Sequence, residues 1–202
     1  IADNDTLYQK NYASERIIKI LKGPSDTQVA LTIFRKSKNE TLKIDLKRGK
    51  VPLRSVESYY MLADNIGYIK INRFSQTTYE EFESATKSLM ASGMTKMILD
   101  LRDNPGGYLS AAREISDTFL DKDQTIVITQ TNKGKEERSF ATGLGIFKEG
   151  DLVVLTNGQS ASASEIVAGA IQDNDRGWVV GRRTFGKGLV QQQMPLGGGD
   201  AI

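Results

Sequence analysis

Two segments carry residues whose types and spacing suit chemistry: Asn157-Gly-Gln-Ser-Ala-Ser-Ala-Ser-Glu165 and Gly181-Arg-Arg-Thr-Phe-Gly-Lys-Gly188. The first follows the apolar run Leu152 to Thr156 and opens a helix expected over Ser162 to Asn174. A serine at that point sits at the positive end of the helix dipole. Beside it are backbone N–H groups without helical partners, a setting that holds an oxyanion. The same Ser162-x-x-Glu165 spacing is a capping box, and serine is a favoured N-cap, so this segment alone is also an ordinary helix start.

The second segment invites a rival reading. Gly181-x-x-x-x-Gly186-Lys187 matches a phosphate-binding loop up to its last position. Gly188 then stands where a Ser or Thr must hold magnesium. The following Leu-Val-Gln-Gln-Gln-Met reads as a strand over Leu189 to Met194, where such a loop needs a helix N-terminus.

Spacing brings the two segments together. A helix from Ser162 to Asn174 advances roughly 18–20 Å. The turn Asp175-Arg176-Gly177 reverses the chain, and six extended residues return it by about 20 Å. Lys187, between two glycines, comes back near the level of Ser162 and can approach another backbone closely. If buried, its amine favours the neutral form and can take a proton from a serine hydroxyl; a solvated turn lysine is the plain alternative.

Composition narrows the chemistry further. The 202 residues contain no histidine, which removes Ser-His-Asp and Cys-His arrangements and the usual zinc sites. They contain no cysteine, which removes disulfides and thiolates. The 27 basic and 25 acidic residues are scattered, without a basic block or interleaved aromatics, so nucleic acid is not an expected partner. No apolar stretch reaches the roughly 20 residues of a membrane span. The chain opens at Ile1-Ala2-Asp3 without an initiator methionine and is read as a trimmed piece, so the lack of a signal peptide says little about location.

The elements that must position these segments are legible from periodicity. A short helix over Ala13 to Lys22, stopped by Gly23-Pro24, precedes strand-like runs at Gln28 to Phe34 and Thr41 to Leu46, joined by a polar turn at Lys36 to Asn39. A boundary follows near Lys50 to Pro52. Beyond it come a strand over Ile66 to Ile71 and a helix from a Thr77-x-x-Glu80 box to Gly93, with Phe82, Ala85 and Leu89 on its buried stripe. Then follow a strand over Lys96 to Leu101, a helix over Leu109 to Leu120, and strands over Thr125 to Thr129, Leu152 to Thr156 and Trp178 to Gly181. Asn132 to Gly150, with little periodicity, is expected to be the longest loop, a surface excursion or a lid. Strands interleaved with helices predict an α/β domain with layers on a sheet.

Ser160-Ala-Ser-Ala-Ser-Glu-Ile166, Ala168-Gly-Ala-Ile-Gln-Asp173, Val180-Gly181 and Thr184-Phe-Gly-Lys-Gly-Leu-Val-Gln191 together resemble the carboxyl-terminal processing (tail-specific) serine peptidases. The resemblance implies Ser162 as nucleophile, Lys187 as general base and Gln191 as the residue orienting that lysine. Leu101-Arg-Asp-Asn-Pro-Gly-Gly107 resembles a second marker of the family. It implies an oxyanion N–H from Gly106 or Gly107, with Ala163 N–H as the other donor; a tight Asn-Pro-Gly-Gly turn needs the same residues.

The implied fold is a crotonase/Clp-peptidase-like catalytic core over residues 51–202, preceded over residues 1–50 by the second half of a PDZ-like domain. Relatives continue beyond residue 202. The implied activity is hydrolysis of unfolded or tagged polypeptides near their C-termini, with no cofactor and no metal. The implied location is extracytoplasmic, with self-association or membrane proximity of a full-length parent as further expectations. A gated or non-enzymatic peptide-binding protein on the same fold is the competing reading.

Overall fold

The structure is a computed structural model. It describes residues 7, 12–49 and 54–190, and the backbone alone of 195–197 and 200–201. The chain divides into two compact units, residues 1–53 and 54–202.

In the first unit, helix α1 (Ser14–Leu21) is followed by the antiparallel hairpin β1 (Gln28–Arg35) and β2 (Glu40–Lys47). The intervening turn closes on Asn39 in the left-handed region, a conformation asparagine tolerates. Arg48 joins helix to hairpin: its Nε donates to Leu21 O at 2.9 Å and one terminal nitrogen donates to Gln28 O at 2.9 Å. The guanidinium thereby satisfies a helix C-terminal carbonyl that has no partner of its own.

The second unit is built on a five-stranded sheet. Its strands are β3 (Val56–Ala63), β4 (Ile66–Ile71), β5 (Lys96–Asp100), β8 (Asp151–Thr156) and β9 (Trp178–Gly181), in the order β3-β4-β5-β8-β9. β3 runs antiparallel to β4, and the remaining pairs are parallel. Helices α2 (Thr78–Ala91), α3 (Leu109–Asp117) and α4 (Ala163–Asp173) connect successive strands. The hairpin β6 (Thr125–Gln130) and β7 (Glu136–Phe140) forms a sheet of its own, as do the short β10 (Pro195–Gly197) and β11 (Asp200–Ala201).

Alternation along the strands sets the core. Ile69, Ile71, Leu99 and Val154 are fully buried and share one cluster with Phe82, Ile115, Phe119, Val167 and Ile171 from the connecting segments. Phe82 packs 5.8 Å from Phe119, centroid to centroid. The intervening residues Tyr68, Ile98 and Val153 lie in register on the opposite face and are only half-buried. That asymmetry is why these strands read as alternating.

Several expectations need correction. β3 is absent from the periodicity reading, because its alternation is broken by register shifts near both ends and most of its side chains are exposed. The expected loop over Asn132 to Gly150 contains β7, whose one buried side chain is Ser139, so no apolar pattern announces it. The Thr77-x-x-Glu80 box is not formed. Thr77 Oγ1 donates to Glu81 Oε1 at 2.8 Å, and Glu81 Oε2 accepts from Ser55 N and Val56 N, which ties the helix start to β3. α3 ends at Asp117, short of Leu120. Leu189 and Val190 are in no strand, and the remainder of the run expected to reach Met194 lies outside the described residues.

Removing a large side chain from this cluster leaves a cavity that the surrounding strands cannot close. Phe82→Ala is expected to cost about 3–5 kcal/mol, read as a lowered midpoint in urea unfolding with an unchanged slope. A loss below about 1 kcal/mol would contradict the central placement of this ring.

Candidate active site

Because β4, β5, β8 and β9 are parallel, the turns that leave their C-terminal ends gather at one edge of the sheet. Two turns meet there, residues 101–107 after β5 and 157–162 after β8. Asn104, fully buried, is their junction. Its Nδ2 donates to Ile71 O at 2.8 Å, and its own carbonyl accepts from Ala161 N at 3.0 Å and from Ser164 Oγ at 3.0 Å. Ser160 Oγ donates to Leu101 O at 2.8 Å, and Asn157 Oδ1 accepts from Asp103 N at 3.0 Å. The buried hydroxyls and amide of this region are thus paired, as burial requires.

Ser162 occupies the N-cap of α4 with φ 54° and ψ −113°, a region ordinarily left to glycine. The neighbouring bonds hold it there: Ala161 N is fixed to Asn104, and Ser162 N donates to Glu165 Oε2 at 2.7 Å. Ser162 is half-buried, and Ala163 is buried at the first helical position. Among the described residues, no acceptor faces the Ala163 N–H or the Gly107 N–H.

The two glycines of the first turn are not equivalent. Gly106 N donates to Asn104 Oδ1 at 2.9 Å, so its N–H is occupied. Gly106 has φ 95°, and a Cβ there would sit 2.6 Å from Ala161 O and 2.9 Å from Ala163 N. That closeness is what lets the two turns touch. Gly107 is exposed, with its flanking peptides pinned by Phe74: Phe74 N donates to Gly106 O at 3.0 Å, and Tyr108 N donates to Phe74 O at 2.8 Å.

The lysine segment returns to Ser162 as its spacing predicts. Phe185 N donates to Ser160 O at 3.0 Å. Gly186 N and Lys187 N donate to the Glu165 carboxylate at 2.6 and 2.8 Å. These amides are therefore turned toward an acid, and no helix follows them among the described residues up to Val190, which leaves the phosphate-binding reading unsupported. Lys187 is exposed, the solvated alternative that its sequence left open. Gln191 lies outside the described residues.

Sequence reading treated Glu165 as a helix-capping residue, and its second role is visible only in the fold. Burial works to raise its pKa. Hydrogen bonds from the Thr184 side chain, Gly186 N, Ser162 N and Lys187 N outweigh that and hold the carboxyl below the usual range.

A second acid was also missed. Asp100, fully buried at the end of β5, accepts from Tyr68 OH at 2.6 Å, from Arg102 N at 2.9 Å and from the Arg102 guanidinium at 2.6–3.1 Å. Burial raises its pKa, but the bonds from Arg102 and Tyr68 and the nearby Lys70 leave it lowered; Tyr68, by burial and by Asp100, is pushed up to about 12. The only advance signal was an acid closing an otherwise apolar strand.

Because the folded pKa of Glu165 is depressed, its bonds stabilise the site fully above the ordinary glutamate range, near ~4.3. That contribution is lost as pH falls through the folded value. Amide exchange at Gly186 and Lys187 should accelerate together in Glu165→Gln, and in the unaltered protein under acid, while exchange in β5 stays slow. Unchanged protection at those amides in Glu165→Gln would refute the bridging role.

Residues 65–202 match the model of Peptidase family S41. A CtpA-like serine protease of Staphylococcus haemolyticus is 41% identical over 180 residues, 88% of this chain and 35% of that protein. Its counterpart in Staphylococcus aureus is 38% identical over 185 residues, 90% of this chain and 36% of that protein. Among solved structures, the photosystem II D1 C-terminal processing protease superposes with a TM-score of 0.64 at 28% identity, over 96% of this chain and 53% of that one. The chain spans about a third of the length of the curated relatives it matches. With the family model covering most of its residues, including both turns and the lysine segment, the chain belongs to Peptidase family S41.

Proposed function

We propose that the protein is the core of a serine endopeptidase that uses a Ser162–Lys187 dyad to cleave unfolded or tagged polypeptides near their C-termini. The observation that carries this reading is the Glu165 carboxylate, on which the main chains of Ser162 and Lys187 meet at 2.7 and 2.8 Å. Family membership supports the reaction class, and the names of the relatives support the C-terminal preference.

In the proposed mechanism, the neutral Lys187 amine takes the Ser162 hydroxyl proton as Ser162 Oγ attacks the scissile carbonyl. The Ala163 N–H receives the oxyanion at the helix N-terminus. What supports Gly107 rather than Gly106 as the second donor is the bond that already occupies Gly106 N. Lys187 then delivers the proton to the leaving amine, and water hydrolyses the acyl-enzyme. Gln191 is assigned to orient the lysine, and residues 1–50 to a PDZ-like half domain, both by resemblance. The location of the protein outside the cytoplasm has the same footing.

The exposure of Lys187 favours a gated form of this reading, in which the amine is covered before it acts. In the full-length protein, Ser162→Ala and Lys187→Ala should each lower casein cleavage by about a thousandfold or more, with unfolding midpoints little changed. Cleavage persisting in either variant would reject the dyad. An unaltered protein that labels at Ser162 with a fluorophosphonate but cleaves nothing would move the assignment to a gated or binding protein.

A further inference from the structure

The edge that carries Ser162 also carries a set of exposed arginines. Arg73 follows β4 by two residues, and Arg182 and Arg183 follow β9 directly. Arg54 precedes β3, whose Val56 pairs with Ile71 at the end of β4, so it lies on the same edge. All four are exposed. Among the described residues, none of the four forms an ion pair with a carboxylate.

Four of the acids on that edge are already engaged, while Glu57 and Glu80 are exposed. Asp100 is held by Arg102 and Tyr68, Glu165 by four donors, Asp103 by Asn157 and Glu81 by Ser55 and Val56. At the opposite edge the pattern differs: Lys96 pairs with Asp151 at 2.9 Å and Lys148 with Asp121 at 3.3 Å. A chain with a net charge of only +2 thus places, on the edge that carries Ser162, four arginines without a carboxylate partner among the described residues.

The arginines stand on both sides of the site. Arg73 adjoins Phe74, which pins the Gly106-Gly107 turn through two main-chain bonds. Arg182 is bonded to the strand that leads into the nucleophile turn: Arg182 N donates to Thr156 O at 3.2 Å, and Thr156 Oγ1 donates to Arg182 O at 3.3 Å. An extended peptide crossing Ser162 would pass between these groups. Guanidinium is a planar fork that receives a carboxylate through two parallel bonds, and clustered charge of one sign steers a ligand of the other.

We propose that this edge is a cationic rim that selects polypeptide substrates carrying aspartate or glutamate side chains beside the cleaved bond. The proposal rests on the peptidase reading for the cleavage and on the charge distribution for the selection, so the two are tested separately. Binding is measured first, by fluorescence anisotropy with full-length Ser162→Ala protein and two labelled peptides of one length. One peptide has Asp and Glu near its centre, and the other has Asn and Gln at the same positions. The acidic peptide should bind about five- to tenfold more tightly at low salt, and the ratio should shrink at high salt. Adding Arg182→Gln and Arg183→Gln should reduce that ratio, and Lys at both positions should restore part of it. Equal binding of the two peptides, or a ratio indifferent to these changes, overturns the rim.

Cleavage of the same peptides by the unaltered protein is then compared. A binding ratio that responds to the arginines without any cleavage sustains the rim and moves the assignment to the gated or binding protein. Retention on phosphatidylserine vesicles that depends on the arginines, with no discrimination between peptides, assigns the edge to a membrane surface and overturns the proposal.

Discussion

The Glu165 carboxylate receives donors from both segments of the site: Ser162 N, Gly186 N, Lys187 N and the Thr184 side chain. Two oxygens offer about four lone-pair directions, so this one group is close to saturated. Its charge is stabilised by dipoles aimed at it, three of them backbone N–H groups for which no other acceptor is present among the described residues. Helix α4 fixes the acid three residues after Ser162, and the acid in turn fixes a loop more than twenty residues away. The return of the chain from β9 toward Ser162 is therefore completed by a directed, charge-assisted contact rather than by apolar packing. That suits a segment whose side chains Phe185, Leu189 and Val190 are largely exposed.

The other half of the site depends on Asn104. Its side chain bridges the end of β4 to Gly106, and its carbonyl binds the turn that carries Ser162. The buried Asp100 beneath it is costly to desolvate, and removing one of its partners would leave an unpaired charge in the sheet. Arg102 and Tyr68 meet that demand with good geometry, and the same bonds orient the chain as it leaves β5. Electrostatic compensation of a buried acid and placement of the glycine turn are one structural event.

Helix capping and catalysis are compatible at Ser162. The cap requires non-helical backbone and a nearby acid, and the proposed reaction requires an exposed hydroxyl beside an unused N–H. The unusual backbone angles of Ser162 serve both, because a residue lifted out of the helical path leaves Ala163 N–H without an internal acceptor. The same economy explains why a sequence pattern typical of helix starts suits the proposed nucleophile as well.

Local periodicity, and the return of the lysine segment toward the serine segment, were legible in the residues alone. Leu152 to Thr156 reads as a buried strand, Ser162-x-x-Glu165 as a helix start, and the helix–turn–strand lengths bring Lys187 back beside it. These are consequences of rise per residue and of turn chemistry, both local. Tertiary structure alone decided that Glu165 binds the lysine segment, that Gly106 N is consumed by Asn104, and that Asp100 needs Tyr68 and Arg102. Each of these joins residues brought together by strand order or by the approach of two turns, and no local pattern encodes such encounters. β3 and β7 escaped for a related reason: a strand at an edge or in an exposed hairpin buries few side chains, so hydrophobic alternation never marks it. The exposure of Lys187 belongs to the same class, since burial is a property of what surrounds a residue and not of its neighbours in the chain.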